Sequence, residues 1–141
     1  MIEGSCLCGA IAFSAERLDG PIGHCHCDTC RKAHSAAFAT TAKVKREHFS
    51  WIRGEDLLRA FESSPGKMRR FCSRCGTQLI ADWLSRPYVI LRLGCLDTDP
   101  GQLPAGHIWV SHQVPWLQYG ADLPRFQETF DPEIAQPKGS L

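Results

Sequence analysis

Eight cysteines, set out as two glycine-backed pairs, one tight triplet and a singleton, constrain this chain more than any other feature. Cys6 and Cys8 stand in C-L-C-G, Cys25, Cys27 and Cys30 in C-H-C-D-T-C, Cys72 and Cys75 in C-S-R-C-G, and Cys95 stands alone. Cys72-Ser73-Arg74-Cys75-Gly76 has the form of a zinc knuckle, in which two sulfurs converge on one ion and the glycine turns tightly behind them. Cys8-Gly9 repeats the Cys-Gly step. One pair supplies two ligands and tetrahedral zinc needs four, so Cys6, Cys8, Cys72 and Cys75 are expected to close one structural site together.

The triplet offers three ligands and no obvious fourth. Three protein ligands with an open position are the arrangement of a reactive zinc, and C-x-C-x-x-C suits a strand end passing into a first helical turn. Three thiolates already supply electron density, so water bound there is acidified less than at a three-histidine site. A thiol as fourth partner fits better, because zinc deprotonates a coordinated thiol outright. Disulfides, a redox C-x-x-C and a single closed site with the triplet merely buried are the competing readings. Cys95 lies in the apolar run Val89–Leu96 and reads as a small buried hydrophobe, not a ligand.

The remaining composition sets bounds. At 141 residues and net charge +1, the chain is expected to form one domain over residues 1–130, with a loose proline-containing tail over 131–141. The charge balance argues against a nucleic-acid wrapper, and no apolar run reaches the ~18–20 residues of a membrane helix. The first residues show no secretory pattern, so a reducing, cytoplasmic setting is expected, where paired cysteines bind metal more readily than each other. Short apolar segments separated by Pro and Gly predict a mainly β fold. Strands are expected at 10–15, 38–44, 57–62, 78–83, 88–94 and 107–110, and short helices at 27–34 and 45–52.

Proton transfer needs a further group. His24 and His26 flank Cys25, and His34 follows Cys30; each reads first as a structural histidine. His107 and His112 lie far along the chain, with no spacing argument to bring them in. Trp109, Trp116 and Phe126 are expected in the core before the wall of a pocket. Arg31, Lys32, Arg69, Arg70 and Arg74 stand beside the cysteines and offer to offset thiolate charge.

The order Gly4-Ser5-Cys6-Leu7-Cys8-Gly9, then Cys25-His26-Cys27 to Cys30-Arg31-Lys32, then Phe61-Glu62-Ser63-Ser64-Pro65-Gly66-Lys67 and Phe71-Cys72-Ser73-Arg74-Cys75-Gly76-Thr77 resembles the glutathione-dependent formaldehyde-activating enzyme (GFA) family. That family is also called the centromere-protein-V-type domain. His107–Val110, Pro115-Trp116 and Leu123–Phe126 look like its C-terminal region, so the resemblance covers nearly the whole chain. It implies an Mss4-like (β-tent) fold with two zinc ions per chain: Cys6, Cys8, Cys72 and Cys75 at a structural site and Cys25, Cys27 and Cys30 at a catalytic one. It implies a carbon–sulfur lyase acting on a small thiol–aldehyde adduct of the S-hydroxymethylglutathione type. The resemblance to centromere protein V keeps a non-catalytic zinc-binding interaction module as the alternative.

Overall fold

The computed structural model describes residues 1–118, 123–125 and 127; Phe126 and the tail over 131–141 lie outside them. Alternation of apolar and polar residues, cut by turn residues, produces ten strands and one α-helix among the described residues. β1 (Ile2–Ser5), β2 (Ala12–Ala15) and β5 (Phe49–Arg53) form a small antiparallel sheet in the order β1-β2-β5. The larger sheet runs β10-β3-β4-β9-β8-β7-β6, from β3 (Ile22–Cys25), β4 (Ala39–Lys45), β6 (Leu58–Ser64), β7 (Lys67–Cys72), β8 (Gln78–Trp83), β9 (Tyr88–Arg92) and β10 (Pro104–Ile108). All its pairings are antiparallel except β10 with β3. The mainly β expectation is met.

The core lies between the sheets. Ile11, Phe13, Val44, Leu79, Ile80, Val89 and Leu91 are buried there, with Cys6 and Cys72 in the same cluster. Phe13 stacks on Phe49 with ring centroids 5.4 Å apart and meets Trp51 edge-on at 6.2 Å. Those contacts explain why the helix expected over 45–52 does not form. A short 3-10 turn at Arg46–His48 gives way to β5, whose alternating Phe49 and Trp51 cover Phe13 while β5 pairs with β2. Tertiary packing overrides a marginal local helix.

The helix expected over 27–34 is present as α1 (Asp28–His34). Cys27 is its N-cap and its sulfur accepts from the Cys30 amide, while Ser35 ends it in the left-handed region at φ 49°. Trp109 and Trp116 contradict the core expectation. They are 59% and 69% exposed, and Trp109 meets His112 edge-on at 5.5 Å.

A polar cluster joins the loop after β2 to the 3-10 turn before β5. The Asp19 carboxylate accepts from the Lys45 amide and from His48 Nδ1, and Arg17 reaches the same carboxylate. The Lys45 amide foremost, with His48 and Arg17 and against burial, lowers the Asp19 carboxyl from its usual 3.8 to about 2. A depressed carboxyl stabilises the fold above its unfolded value, and this stability is lost as pH falls through the folded one. Asp19→Asn is therefore expected to flatten the acid limb of a stability–pH curve between about 4 and 2. Parallel acid limbs for both proteins, measured by urea denaturation, would refute that.

Candidate metal centres

The two glycine-backed pairs fold alike. Gly9 donates its amide to the Cys6 carbonyl and Gly76 to the Cys72 carbonyl, each at 2.8 Å. Both glycines sit at φ 76°, where a β-carbon would be strained. The Cys6 amide reaches the Ile11 carbonyl and the Cys72 amide reaches the Thr77 carbonyl, both at 3.0 Å. One turn joins β1 to β2 and the other joins β7 to β8, so the site ties the two sheets together. The sulfurs of Cys6, Cys8, Cys72 and Cys75 all lie within 4.8 Å of one another, with Cys6–Cys8 at 3.6 Å and Cys8–Cys72 at 3.9 Å. A tetrahedron with metal–sulfur arms of about 2.3 Å has edges of about 3.8 Å, so the four thiols fit a metal ion.

Neutral donors serve these sulfurs. The Ile11 amide donates to Cys6 at 3.2 Å and the Arg74 amide to Cys72 at 3.4 Å, while the Thr77 hydroxyl lies 3.3 Å from Cys75. Burial resists ionisation of Cys75, yet the Thr77 hydroxyl and amide bring its thiol down to about 6.

The triplet forms a second group, its three sulfurs also within 4.8 Å of one another. Cys25 closes β3, Cys27 caps α1, and Cys30 lies one helical turn further on. Cys25, Cys30 and Ala39 make a small separate core against which Cys27 packs. The hydrogen bond from Cys25 lowers the Cys30 thiol to about 4 against the pull of burial, with Arg92, Cys27 and Arg69 acting in the same direction. The same contact and burial push Cys25 upward, so the two thiols titrate as a pair.

Cys95 belongs to neither group. It lies in a 3-10 turn, Leu93–Cys95, and its thiol donates to the Arg92 carbonyl at 2.8 Å; burial raises it to about 12. Cys95→Ala is accordingly expected to leave bound metal unchanged, and loss of an ion on elemental analysis would count against it.

The histidines gather more closely than their spacing suggests. Parallel pairing of β10 with β3 sets His107 opposite His24 and Ile108 opposite Cys25. His26 is fully buried, and its Nε2 lies 2.9 Å from Nδ1 of exposed His107. His24 Nδ1 meets the Thr40 hydroxyl at 2.9 Å. His112 Nδ1 comes within 3.4 Å of the Asp28 carboxylate at the start of α1. Burial holds His24 and His26 below the usual histidine range, with His107 adding to both. Burial, then Arg92, brings His34 to about 4 and keeps it neutral near pH 7.

The cations sort differently from the expectation. Arg31 pairs with Asp28 and bonds the His26 carbonyl, so it braces α1, and Arg70 points to the core side, to Asp82. Arg69 alone of the five hydrogen-bonds a cysteine sulfur through its side chain, at Cys30. Arg92, which no local motif marks, joins it from β9. A cavity of about 850 Å³ lies beside these groups, lined by Cys6, Cys8, His34, Phe38, Thr40 and Arg92 among others.

The geometry defines a mainly β protein with two thiol groups that could each hold a metal ion. The sequence profile described as glutathione-dependent formaldehyde-activating enzyme matches residues 1–112. The chain belongs to that family. A Halomonas elongata protein named a putative glutathione-dependent formaldehyde-activating enzyme is 31% identical over 134 residues, covering 84% of this chain and 80% of its own. A Schizosaccharomyces pombe protein named an uncharacterized lyase is 32% identical over 90 residues, spanning 62% of this chain and 64% of the yeast protein's length. A crystal structure of a Rhodobacter sphaeroides protein superposes with a TM-score of 0.59 at 24% identity, over 72% of this chain and 97% of that one, and supports an Mss4-like β fold. Among the described residues no helix is long and apolar enough to cross a membrane.

Proposed function

We propose that this chain is a zinc-dependent carbon–sulfur lyase of the GFA type, acting on a small thiol–aldehyde adduct of the S-hydroxymethylglutathione kind in a reducing, cytoplasmic setting. Cys6, Cys8, Cys72 and Cys75 would hold a structural zinc, and Cys25, Cys27 and Cys30 a catalytic one. The observation that carries the reading is the asymmetry of the two groups. One has four thiols; the other has three, and Cys95, the only cysteine left over, is committed to the Arg92 carbonyl. Family membership and the names of the relatives support the same chemistry.

A zinc ion on the triplet would supply acidity to a thiol and polarise an aldehyde oxygen. The chain's own residues set the rest. Cys27 and Cys30 are fixed by the first turn of α1 and Cys25 by the end of β3, so the three sulfurs are preorganised without further closure. His26 and His107 share one hydrogen bond between Nε2 and Nδ1, which runs from a buried ring to an exposed one and is placed to carry a proton outward. Neutral His34 covers the end of α1 without adding charge.

Exchange of formaldehyde with glutathione, followed by NMR line shapes, tests the activity. The metal-loaded protein is expected to accelerate exchange, and Cys27→Ser to abolish the acceleration while staying folded. Equal exchange rates with both proteins would remove this chemistry.

A further inference from the structure

Two arginines are enclosed behind the triplet with no carboxylate beside them among the described residues. Arg69 on β7 is 2% exposed and Arg92 on β9 is 4% exposed. Arg69 Nη2 donates to the Thr29 hydroxyl at 2.9 Å and to Cys30 Sγ at 3.7 Å. Arg92 lies close enough to Cys30 for the two charges to act on each other. On Arg69 the Nε and Nη1 atoms, and on Arg92 the Nε and Nη2 atoms, are buried without a hydrogen-bond partner. Half-buried Lys67 lies close enough for Arg69 and Cys30 to act on its charge.

The register of the large sheet produces this arrangement. Arg69 stands opposite Ala81, Ala81 opposite Ile90, and Arg92 opposite Thr41, so both arginines emerge on the side that carries α1. The opposite side packs the apolar core. The four-cysteine group has no such backing: its sulfurs receive backbone amides and a hydroxyl.

Charge makes the contrast meaningful. Burying a guanidinium without a counter-charge is strongly unfavourable because it strips the ion of water, so two such groups imply a negative charge that they face. Three thiolates around a dication leave one negative charge, and two guanidiniums exceed it by one. We propose that Arg69 and Arg92 make the three-cysteine centre selective for an anionic fourth ligand, a thiolate or another small anion, over a neutral donor. The inference rests on the reading that Cys25, Cys27 and Cys30 hold a metal with an open position. Both arginines act through Cys30 and the local field, so they are positioning residues.

The test uses the full chain loaded with cobalt, whose visible spectrum reports the ligand set of each site. Azide and imidazole are titrated separately at mildly alkaline pH, where imidazole is neutral. The unaltered protein is expected to take azide at least about tenfold more tightly than imidazole. Arg69→Gln and Arg92→Gln are each expected to lower that ratio about tenfold, and Arg92→Lys to restore most of it. Binding of both ligands to the unaltered protein without preference overturns the inference alone, with no dependence on how any variant folds. A ratio unchanged in both glutamine variants overturns it too. A spectrum that neither ligand moves overturns the open-position reading and this inference together.

Discussion

Cys75→Ser is expected to yield no folded, soluble protein, whereas Cys27→Ser folds and keeps about one metal ion per chain. The difference follows from what each group joins. Cys75 lies in the turn between β7 and β8, and its partners Cys6 and Cys8 lie in the turn between β1 and β2, so this group links the two sheets. Structural zinc contributes on the order of 10 kcal/mol of apparent binding energy, as much as the whole stability of an ordinary domain. The triplet spans six residues of continuous chain and joins only β3 to α1. Losing it leaves both sheets and the main core in place. Elemental analysis with circular dichroism of the purified variants decides the matter. A folded Cys75→Ser protein carrying two ions would contradict the structural assignment.

The second large effect concerns Asp82, a carboxylate buried in the middle of the large sheet. It accepts from Arg70 Nε and Arg46 Nη2, each at 2.8 Å, and is 1% exposed. Arg46 also bonds the Trp83 and Arg86 carbonyls, so the cluster pins the β8–β9 turn. Asp82→Ala removes the counter-charge from two arginines, and breaking a buried pair in this way costs about 3–5 kcal/mol. Both arginines retain some solvent contact, so about 3 kcal/mol is the expected loss. Urea denaturation of the metal-loaded protein measures it, and a loss below about 1 kcal/mol would place the pair among ordinary surface ion pairs.

Sequence reading reaches furthest where the signal is local. Cys6, Cys8, Cys72 and Cys75 assemble as their spacing and their glycines predict, because each half of that group is a self-contained turn. Cys27 and Cys30 fall within one helical turn for the same reason. The strand at 78–83 is legible from composition alone, with Leu79, Ile80 and Ala81 all buried. Arg92 is another matter. Its nearness to Cys30 depends on the register of β9 against β4, a long-range pairing that a charged residue in an apolar run does not disclose. His107 arrives through the parallel pairing of β10 with β3, which no turn signal announces. The segment after Lys45 is a strand and not the expected helix because Phe49 and Trp51 find Phe13 as a partner, a contact that lies far off in the sequence. Trp109 and Trp116 stay outside the core because β10 lies at the edge of its sheet.

The link between the two glycine-backed turns also sets a timetable. Cys8 and Cys72, whose sulfurs end 3.9 Å apart, are separated by 64 positions along the chain. At ribosomal speeds of ~5–20 residues per second, roughly 3–13 s pass between their syntheses. During that interval Cys6 and Cys8 form half a binding site, while the triplet is already complete in sequence. A nascent chain therefore presents its three-thiol group to the cell's metal supply before its four-thiol group exists. With both groups loaded as proposed, an ion taken up at that stage would sit on the group that does not join the sheets, and the link between the sheets would wait for Cys72 and Cys75.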